Sequence, residues 1–326
     1  MDAINNNKGF CTISTADHMP YVFALYDSIK RFHADVVLNV LIADAEPDSI
    51  ENQDRFPQIR LYGIDELCRL GAGKRVFEKY HAACMDKFRW SMKPVFLKYL
   101  IEHADCEKLI YVDNDIYFFN EYAFLFDELN SSDSILTPHW RSSDPQADSM
   151  NFFTLYTSGL YNGGFVGVTK HALPALAWWA SACLFVCEKN ASQGQFVDQT
   201  HLNLLPIYFD NVKIIKHRGC NVANWNRVEC TRVQKDDTVL INGIDSVVFI
   251  HFTNSTIKGI VKGDDALLAP FLDIYQENLK HYGVRLPLNP GAELQIAYSA
   301  TGKKSAFRAV CERLRILQRI RGFLNG

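Results

Sequence analysis

Two carboxylates stand one residue apart at the end of an apolar run, Asp113 and Asp115 in "EKLIYVDNDIYFFN" (107–120). Leu109, Ile110, Tyr111 and Val112 read as a buried strand, and Ile116 to Phe119 resume the apolar pattern. Two like charges among aromatic side chains are costly unless something neutralises them. A strand presents residues i and i+2 to one side of its sheet. With no Lys or Arg beside them, the pair is suited to gripping a divalent cation. Oxygen ligands without thiolates point to Mg2+ or Mn2+, ions that commonly carry substrate phosphates as further ligands. A solvated turn acid next to a helix cap would leave the same two letters with no chemistry attached.

Other stretches place polar side chains at the ends of predicted elements. "SVVFIHF" (246–252) puts His251 at the end of a strand. It is either a structural histidine or a third ligand for the cation, since imidazole suits Mn2+. "YNGGFVG" (161–167) supplies the Asn162 amide beside Gly163 and Gly164, which let a ligand approach the backbone closely. A β-bulge accounts for the glycines equally well. "VDQTHLN" (197–203) sets Asp198 and Gln199 at a predicted helix start, where capping explains the acid but not the glutamine. Cys183 with Cys187, and His217 with Cys220, are fragments of metal spacing, but no complete four-ligand zinc set appears.

Elements that position these residues follow from periodicity. "GFCTIS" (9–14), "VVLNVLIA" (36–43) and "QIRLYGI" (58–64) read as strands. Pro20 to Phe32 and "SMKPVFLKYLIEH" (91–103) read as helices. Strands alternating with helices predict an α/β fold with a mostly parallel central sheet, whose ligands bind beyond the carboxyl ends of the strands. The stretch 130–170 is more irregular and polar, as in a substrate-side flap, and then yields a strand at 160–169 interrupted by its glycines. A helix over 171–189 and a capped helix over 196–206 follow, then strands at 212–215, 238–241 and 246–252. "DDALLAPFLDIYQENLKHYG" predicts a helix ending at Gly283, and a last helix is expected from about Lys303 to Phe323.

The chain has 326 residues, 48% hydrophobic and 22% charged, with a net charge of −3, which gives no reason to expect nucleic acid as a partner. The balance is uneven, because residues 301–326 hold seven basic side chains and the single acid Glu312. Nine unpaired-looking cysteines and a start without a secretory apolar segment suggest reduced thiols and a cytoplasmic setting. "ALPALAWWASACLFVC" (172–187) is shorter than the ~20 residues that span a bilayer, so a buried helix is expected there.

The ordered set "YVDNDIYF", "YNGGFVGV", "FVDQTHLNLLP" and a terminal strand with His251 resembles the family 8 glycosyltransferases and related bacterial sugar transferases. The resemblance covers roughly residues 9–260 and implies the GT-A nucleotide-diphospho-sugar transferase fold. It also implies a nucleotide-sugar donor, commonly a UDP-sugar, and Mn2+ or Mg2+. By that resemblance Asp113, Asp115 and His251 bind the metal, and Asn162 with Gly163 faces the donor sugar. Asp198 holds sugar hydroxyls and Gln199 lies near the anomeric carbon. Thr12, Ser14 and Asp17, with Asn114 between the two acids, border the nucleotide. Lys93 points to the phosphates, unless it is a surface lysine. Asn221, Asn224, Trp225 and Asn226 line the acceptor cleft. The family's H-x-x-G-x-x-K is altered to "HFTNSTIK" (251–258), with Asn254 at the glycine position. Lys258 then reaches the phosphates only from a flexible loop beside Gly259.

These expectations divide the chain into a transferase domain, 1–263, and a helical extension, 264–326. On a helical wheel Phe307, Val310, Leu314, Leu317 and Leu324 form an apolar stripe, with Lys304, Arg308, Arg315 and Arg319 on another face. That pattern suits a helix lying on an anionic membrane surface through residues 303–324. The transferase is expected to move a hexose-type sugar to a glycan or lipid-linked glycan, with retention. The alternatives are inversion with Asp198 as base, a sugar-phosphate nucleotidyltransferase, or a binding module without turnover.

Overall fold

The computed structural model describes residues 8–51, 55–104 and 106–288. The apolar runs become strands β1 (Lys8–Ser14), β2 (Val37–Ile42), β3 (Ile59–Tyr62) and β4 (Lys108–Val112), with helix α1 (Met19–Lys30) between β1 and β2. Helix α2 (Met85–His103) begins six residues before the predicted start at Ser91, and leads into β4. The short strand β5 (Ile116–Phe118) follows the two carboxylates. Beyond it come β6 (Ser134–Pro138), helix α3 (Ser149–Ser158), β7 (Tyr161–Thr169), helix α4 (Leu173–Phe185) and β8 (Val212–Ile214). A hairpin of β9 (Arg232–Lys235) and β10 (Thr238–Ile241), then β11 (Phe249–His251), α5 (Asn254–Val261) and α6 (Ala269–His281) complete the described chain.

A seven-stranded sheet runs in the order β8-β6-β7-β4-β1-β2-β3. Its pairs are parallel except that β7 runs antiparallel to both β4 and β6. Alternation along the strands divides the core in two. Cys11, Ile13, Leu109 and Tyr111 join a layer with Phe88, Met92 and Phe96 of α2 and Trp179 of α4. Phe10, Ile110 and Val112 join the opposite layer with Val22, Leu25 and Ile29 of α1.

Three details differ from the expectations. Helix α3 lies in the stretch that reads as irregular, and Asp148 caps it by accepting the Asn151 N–H at 3.0 Å. The glycines do not interrupt β7, all nine residues of which are buried; the irregular register falls on its partner β6 between Leu136 and Pro138. Instead of a capped helix at 196–206 there is a 3-10 turn over Thr200–Leu204 and a short α-turn over Leu205–Tyr208, and Asp198 caps nothing. No helix among the described residues is long and apolar enough to cross a membrane. The expected membrane-facing segment 303–324 lies outside the described residues.

Helix α6 ends before Gly283, whose φ of 80° suits a residue without a side chain. It is pinned to α1 by Asp27, whose carboxylate pairs with Lys30 and accepts hydrogen bonds from the Tyr282 hydroxyl and, at 3.0 Å, from Asn278. Burial pushes the Asp27 pKa up, but those donors outweigh it and hold the group below its usual range. Replacing Asp27 with Ala should therefore cost about 1–2 kcal/mol at pH 7. The depressed carboxyl stabilises the fold above its unfolded value of about 4 and stops doing so as pH falls through the folded value. Urea unfolding at pH 7 and pH 3 should show the gap between the two proteins closing at the lower pH.

Candidate functional site

Two strand registers assemble the site. Val112 lies opposite Phe165 across β4 and β7, so the next residue, Asp113, falls beside Gly164 and its N–H donates to the Gly164 carbonyl at 2.9 Å. His251 lies opposite Ile116 across β11 and β5, which sets the imidazole against Asp115. The Phe252 N–H closes the junction on the Asp115 carbonyl at 2.8 Å. Asp113, Asp115 and His251, far apart in sequence, thus offer ligand atoms that all lie within 4.8 Å of one another.

Each group is held from outside the cluster. Oδ1 of Asp113 accepts a hydrogen bond from the Tyr111 hydroxyl at 2.8 Å and lies 3.2 Å from the Lys93 ammonium. Its Oδ2 faces His251 Nε2 at 4.0 Å, and Asp115 Oδ1 is 2.9 Å from the same nitrogen. Burial alone would raise the pKa of Asp115 and lower that of His251; their mutual charge and hydrogen bond outweigh it in both, so the acid sits below and the base above its usual value. A Cβ on Gly164 would lie 2.7 Å from Asp113 Oδ2 and 2.7 Å from His251 Cε1. The bare glycine leaves the space in which these donors converge. Two carboxylates and an imidazole with no thiolate form a set that can hold a divalent cation.

Lys93 is not a surface residue. Its side chain is 4% exposed, 3.2 Å from Asp113, 3.3 Å from Asp198 Oδ2 and 2.9 Å from the Gly163 carbonyl, to which it donates. These three contacts take up the ammonium inside the fold, so it does not point to a phosphate. Burial lowers its pKa less than Asp113 and Asp198 raise it, so it stays charged. Burial also pushes Asp198 up to about 6, against the pull of Lys93 and with the charge of Asp113 adding to the rise.

Several expected contacts are turned onto the protein. Gln199 accepts the Gly163 N–H at 3.0 Å and donates to the Ser158 carbonyl, so its amide clamps two backbones. Asn162 accepts the Gly164 N–H at 2.6 Å and donates to Asn221 at 2.8 Å and to His251 Nδ1 at 3.1 Å, so its amide is committed within the fold. Asn221 and Asn226 are fully buried, and Asn226 donates to the Asn221 carbonyl at 2.8 Å. Asn224 accepts from Thr256 at 3.2 Å and, like Trp225, is only partly buried. The Trp225 ring stands edge-on to His251 and to His139, each at 5.5 Å between centroids.

On the nucleotide side, Asn114 donates to Ser14 Oγ at 3.1 Å, joining the ends of β4 and β1. Thr12 is two residues inside β1 and wholly buried, and Asp17 is exposed and bound to Thr15 and His18. Lys258 is exposed on α5, not on a loop, because Thr253 caps that helix by accepting the Thr256 N–H at 3.2 Å. Residues missed from sequence are Tyr21 and His18, whose rings lie 5.6 Å apart. Burial first and then the charge of Asp115 raise the Tyr21 pKa. His18 and Tyr21 stand four and seven residues after the end of β1, at and just inside the start of α1, and nothing in their spacing singled them out.

No protein-family model matches the chain. Two uncharacterised proteins of Bacillus subtilis (strain 168) are similar to it. YfnF is 24% identical over 290 residues, covering 84% of this chain and 92% of its own. YfnD is 28% identical over 262 residues, covering 76% and 78%. Among solved structures, galactosyltransferase LgtC in complex with donor and acceptor sugar analogues matches with a TM-score of 0.51 at 14% identity, covering 84% of this chain and 95% of that one. The fold is accordingly GT-A-like, with the mostly parallel central sheet and flanking helices expected from the sequence.

Two substitutions probe this arrangement. Lys93→Met strands the buried carboxylate of Asp198 and leaves the half-buried Asp113 without its cation, and should lower unfolding free energy by about 3–5 kcal/mol near pH 8. A carboxyl with a raised folded-state pKa favours folding as pH falls, so the deficit should shrink toward pH 5 as Asp198 takes up a proton. Chemical denaturation at both pH values measures it. Gly164→Ala should keep a native far-UV spectrum and weaken Mn2+ binding about tenfold or more, read by calorimetry.

Proposed function

We propose that this chain is a divalent-cation-dependent glycosyltransferase that moves a hexose-type sugar from a nucleotide sugar, of the UDP type, to a glycan or lipid-linked glycan. The observation that carries the reading is the Asp113–Asp115–His251 cluster at the carboxyl edge of a GT-A-like sheet, where ligands of such sheets bind. The sequence motifs add the closer resemblance to family 8.

Asp113, Asp115 and His251 would hold Mn2+ or Mg2+, which when bound supplies neutralisation of a diphosphate leaving group. The chain's own residues do the rest. Tyr111 and Lys93 fix one oxygen of Asp113 and leave the other free to turn inward. Lys93 offsets the charge of Asp198 in the same step, so the cleft tolerates its acids without a bound ion. Ser14, Asn114, His18 and Tyr21 border the nucleoside, and Trp225 and Asn224 offer an aromatic edge and an amide to an acceptor sugar. Gln199 keeps Gly163 in place by holding its backbone and that of Ser158, rather than by meeting carbon 1.

Retention is the favoured stereochemistry. Asp198, the candidate base for inversion, is 1% exposed and tied to Lys93, a poor position from which to meet an incoming hydroxyl. Attack on the leaving-group face needs no protein base, because the departing phosphate oxygen accepts the proton. Residues 1–263 carry this chemistry and the helices that follow support it. A position at the inner face of a membrane is proposed from the composition of residues 303–324 alone.

Thermal shift with UDP, GDP and CMP, with and without Mn2+, tests the reading. UDP should stabilise the protein only when Mn2+ is present, and Asp115→Ala should abolish that linked shift while keeping the fold. Incubation with a panel of nucleotide sugars and Mn2+ should release UDP from one of them. Stabilisation independent of metal, or turnover of none of the sugars, would sink the proposal.

A further inference from the structure

Two backbone groups at opposite ends fix the side-chain amides that surround His251. The Gly164 N–H can only donate, so the atom it meets at 2.6 Å is the Asn162 carbonyl oxygen. The Pro138 carbonyl can only accept, so the atom 3.3 Å from it is the Asn221 amide nitrogen. Between these anchors Asn162 Nδ2 gives one hydrogen to Asn221 Oδ1 at 2.8 Å and its other to His251 Nδ1 at 3.1 Å. Neither amide can reverse without setting a donor against a donor or an acceptor against an acceptor. Asn221 lies in the left-handed region, at a φ of 64°.

A neutral imidazole that accepts at Nδ1 carries its hydrogen at Nε2. Here Nε2 faces Asp115 Oδ1 at 2.9 Å, within reach of that hydrogen. We propose that Asn162, braced by Asn221, is the positioning residue of His251: it turns the ring's Nε2 onto the two carboxylates and sets which ring nitrogen carries the hydrogen. The proposal rests on the reading of Asp113, Asp115 and His251 as a cation site, and it gives Asn162 a role other than sugar recognition. Uptake of a cation at Nε2 requires the hydrogen to move to Nδ1, leaving the ring neutral. The relay opposes that exchange, but its hold on the ring, which keeps Nε2 aimed at the carboxylates, contributes more to the affinity: loss of the amide loosens the ring, whereas an acceptor in its place keeps the hold and removes the opposition.

Opposite substitutions at one position then have opposite effects. Asn162→Ala loosens the ring and should weaken Mn2+ binding about tenfold or more. Asn162→Asp keeps an acceptor for the Gly164 N–H and offers a second oxygen to an Nδ1–H, the carboxylate–histidine pairing that favours metal ligation, at the cost of setting that oxygen against Asn221 Oδ1. It should tighten binding. Asn221→Gly removes the brace without backbone strain and should weaken binding less than Asn162→Ala.

Calorimetric titration of the full chain with MnCl2 reads the affinities. Long-range 1H–15N correlation of histidine-labelled protein, without added metal, reads the tautomer, with His251→Gln assigning the signal. The expected spectra show Nε2–H in the parent chain and Nδ1–H in Asn162→Asp. Unchanged or tighter binding in Asn162→Ala overturns the proposal. So does tighter binding by Asn162→Asp with the tautomer unaltered, which marks added charge alone. If Asn162→Ala does not fold, Asn221→Gly and Asn162→Asp decide by the same criteria. Neither measurement uses a sugar donor, so a protein that turns over no nucleotide sugar yet behaves as described leaves the relay standing and removes only the transferase reading. A chain whose His251→Gln variant binds Mn2+ as tightly as the parent removes the histidine, and with it the relay, from the cation site.

Discussion

The ammonium of Lys93 lies between two carboxylates, 3.2 Å from Asp113 and 3.3 Å from Asp198, and donates to the Gly163 carbonyl. It joins helix α2, the end of β4, the start of β7 and the segment after α4 at one point. An isolated carboxylate in such surroundings would carry a desolvation penalty of several kcal/mol per ion. One buried cation lowers that penalty for two acids at once. The remaining negative charge, on Asp113 Oδ2 and Asp115, faces the cleft where a dication can meet it.

Around this contact the site is built from backbone more than from loops. Asp113 is placed by the β4–β7 register and His251 by the β5–β11 register. A slip of one residue in either pairing would turn a ligand to the opposite face. Gly163 and Gly164 lie in the middle of this construction. An added Cβ on Gly163 would come within 2.8 Å of Asp198 Oδ2, and one on Gly164 within 2.7 Å of Asp113 Oδ2. The glycines thus serve close packing of acids against a strand, and neither a bulge nor a turn is needed to explain them.

The amide side chains show where pattern and geometry part. The family resemblance sets Asn162 and Gln199 at the donor and Asn221 and Asn226 at the acceptor, the last two also because amides suit hydroxyls. In the fold they bind backbone groups and one another. A buried carbonyl or N–H left without a partner costs about 1–3 kcal/mol, and an amide is equally suited to meeting that demand. Composition cannot distinguish the two uses. Helix α3 was hidden for a related reason: Ser, Asp and Pro ahead of it read as loop, although Asp148 is its cap.

Local pattern was sufficient for whatever depends on neighbours in the chain. It determined much of the order of strands and helices, the mostly parallel sheet, the strand end at Asp113 and Asp115, and the stop at Gly283, because burial periodicity and turn preference are written within a few residues. Tertiary structure decided which distant groups meet. The sequence showed no cation next to the two acids, yet Lys93 reaches Asp113 from a helix that starts at Met85. Asp198 passed for a cap and proved to be a buried partner of that lysine. Such pairings are fixed by strand register and by the packing of α2 on the sheet, and neither is encoded by spacing along the chain.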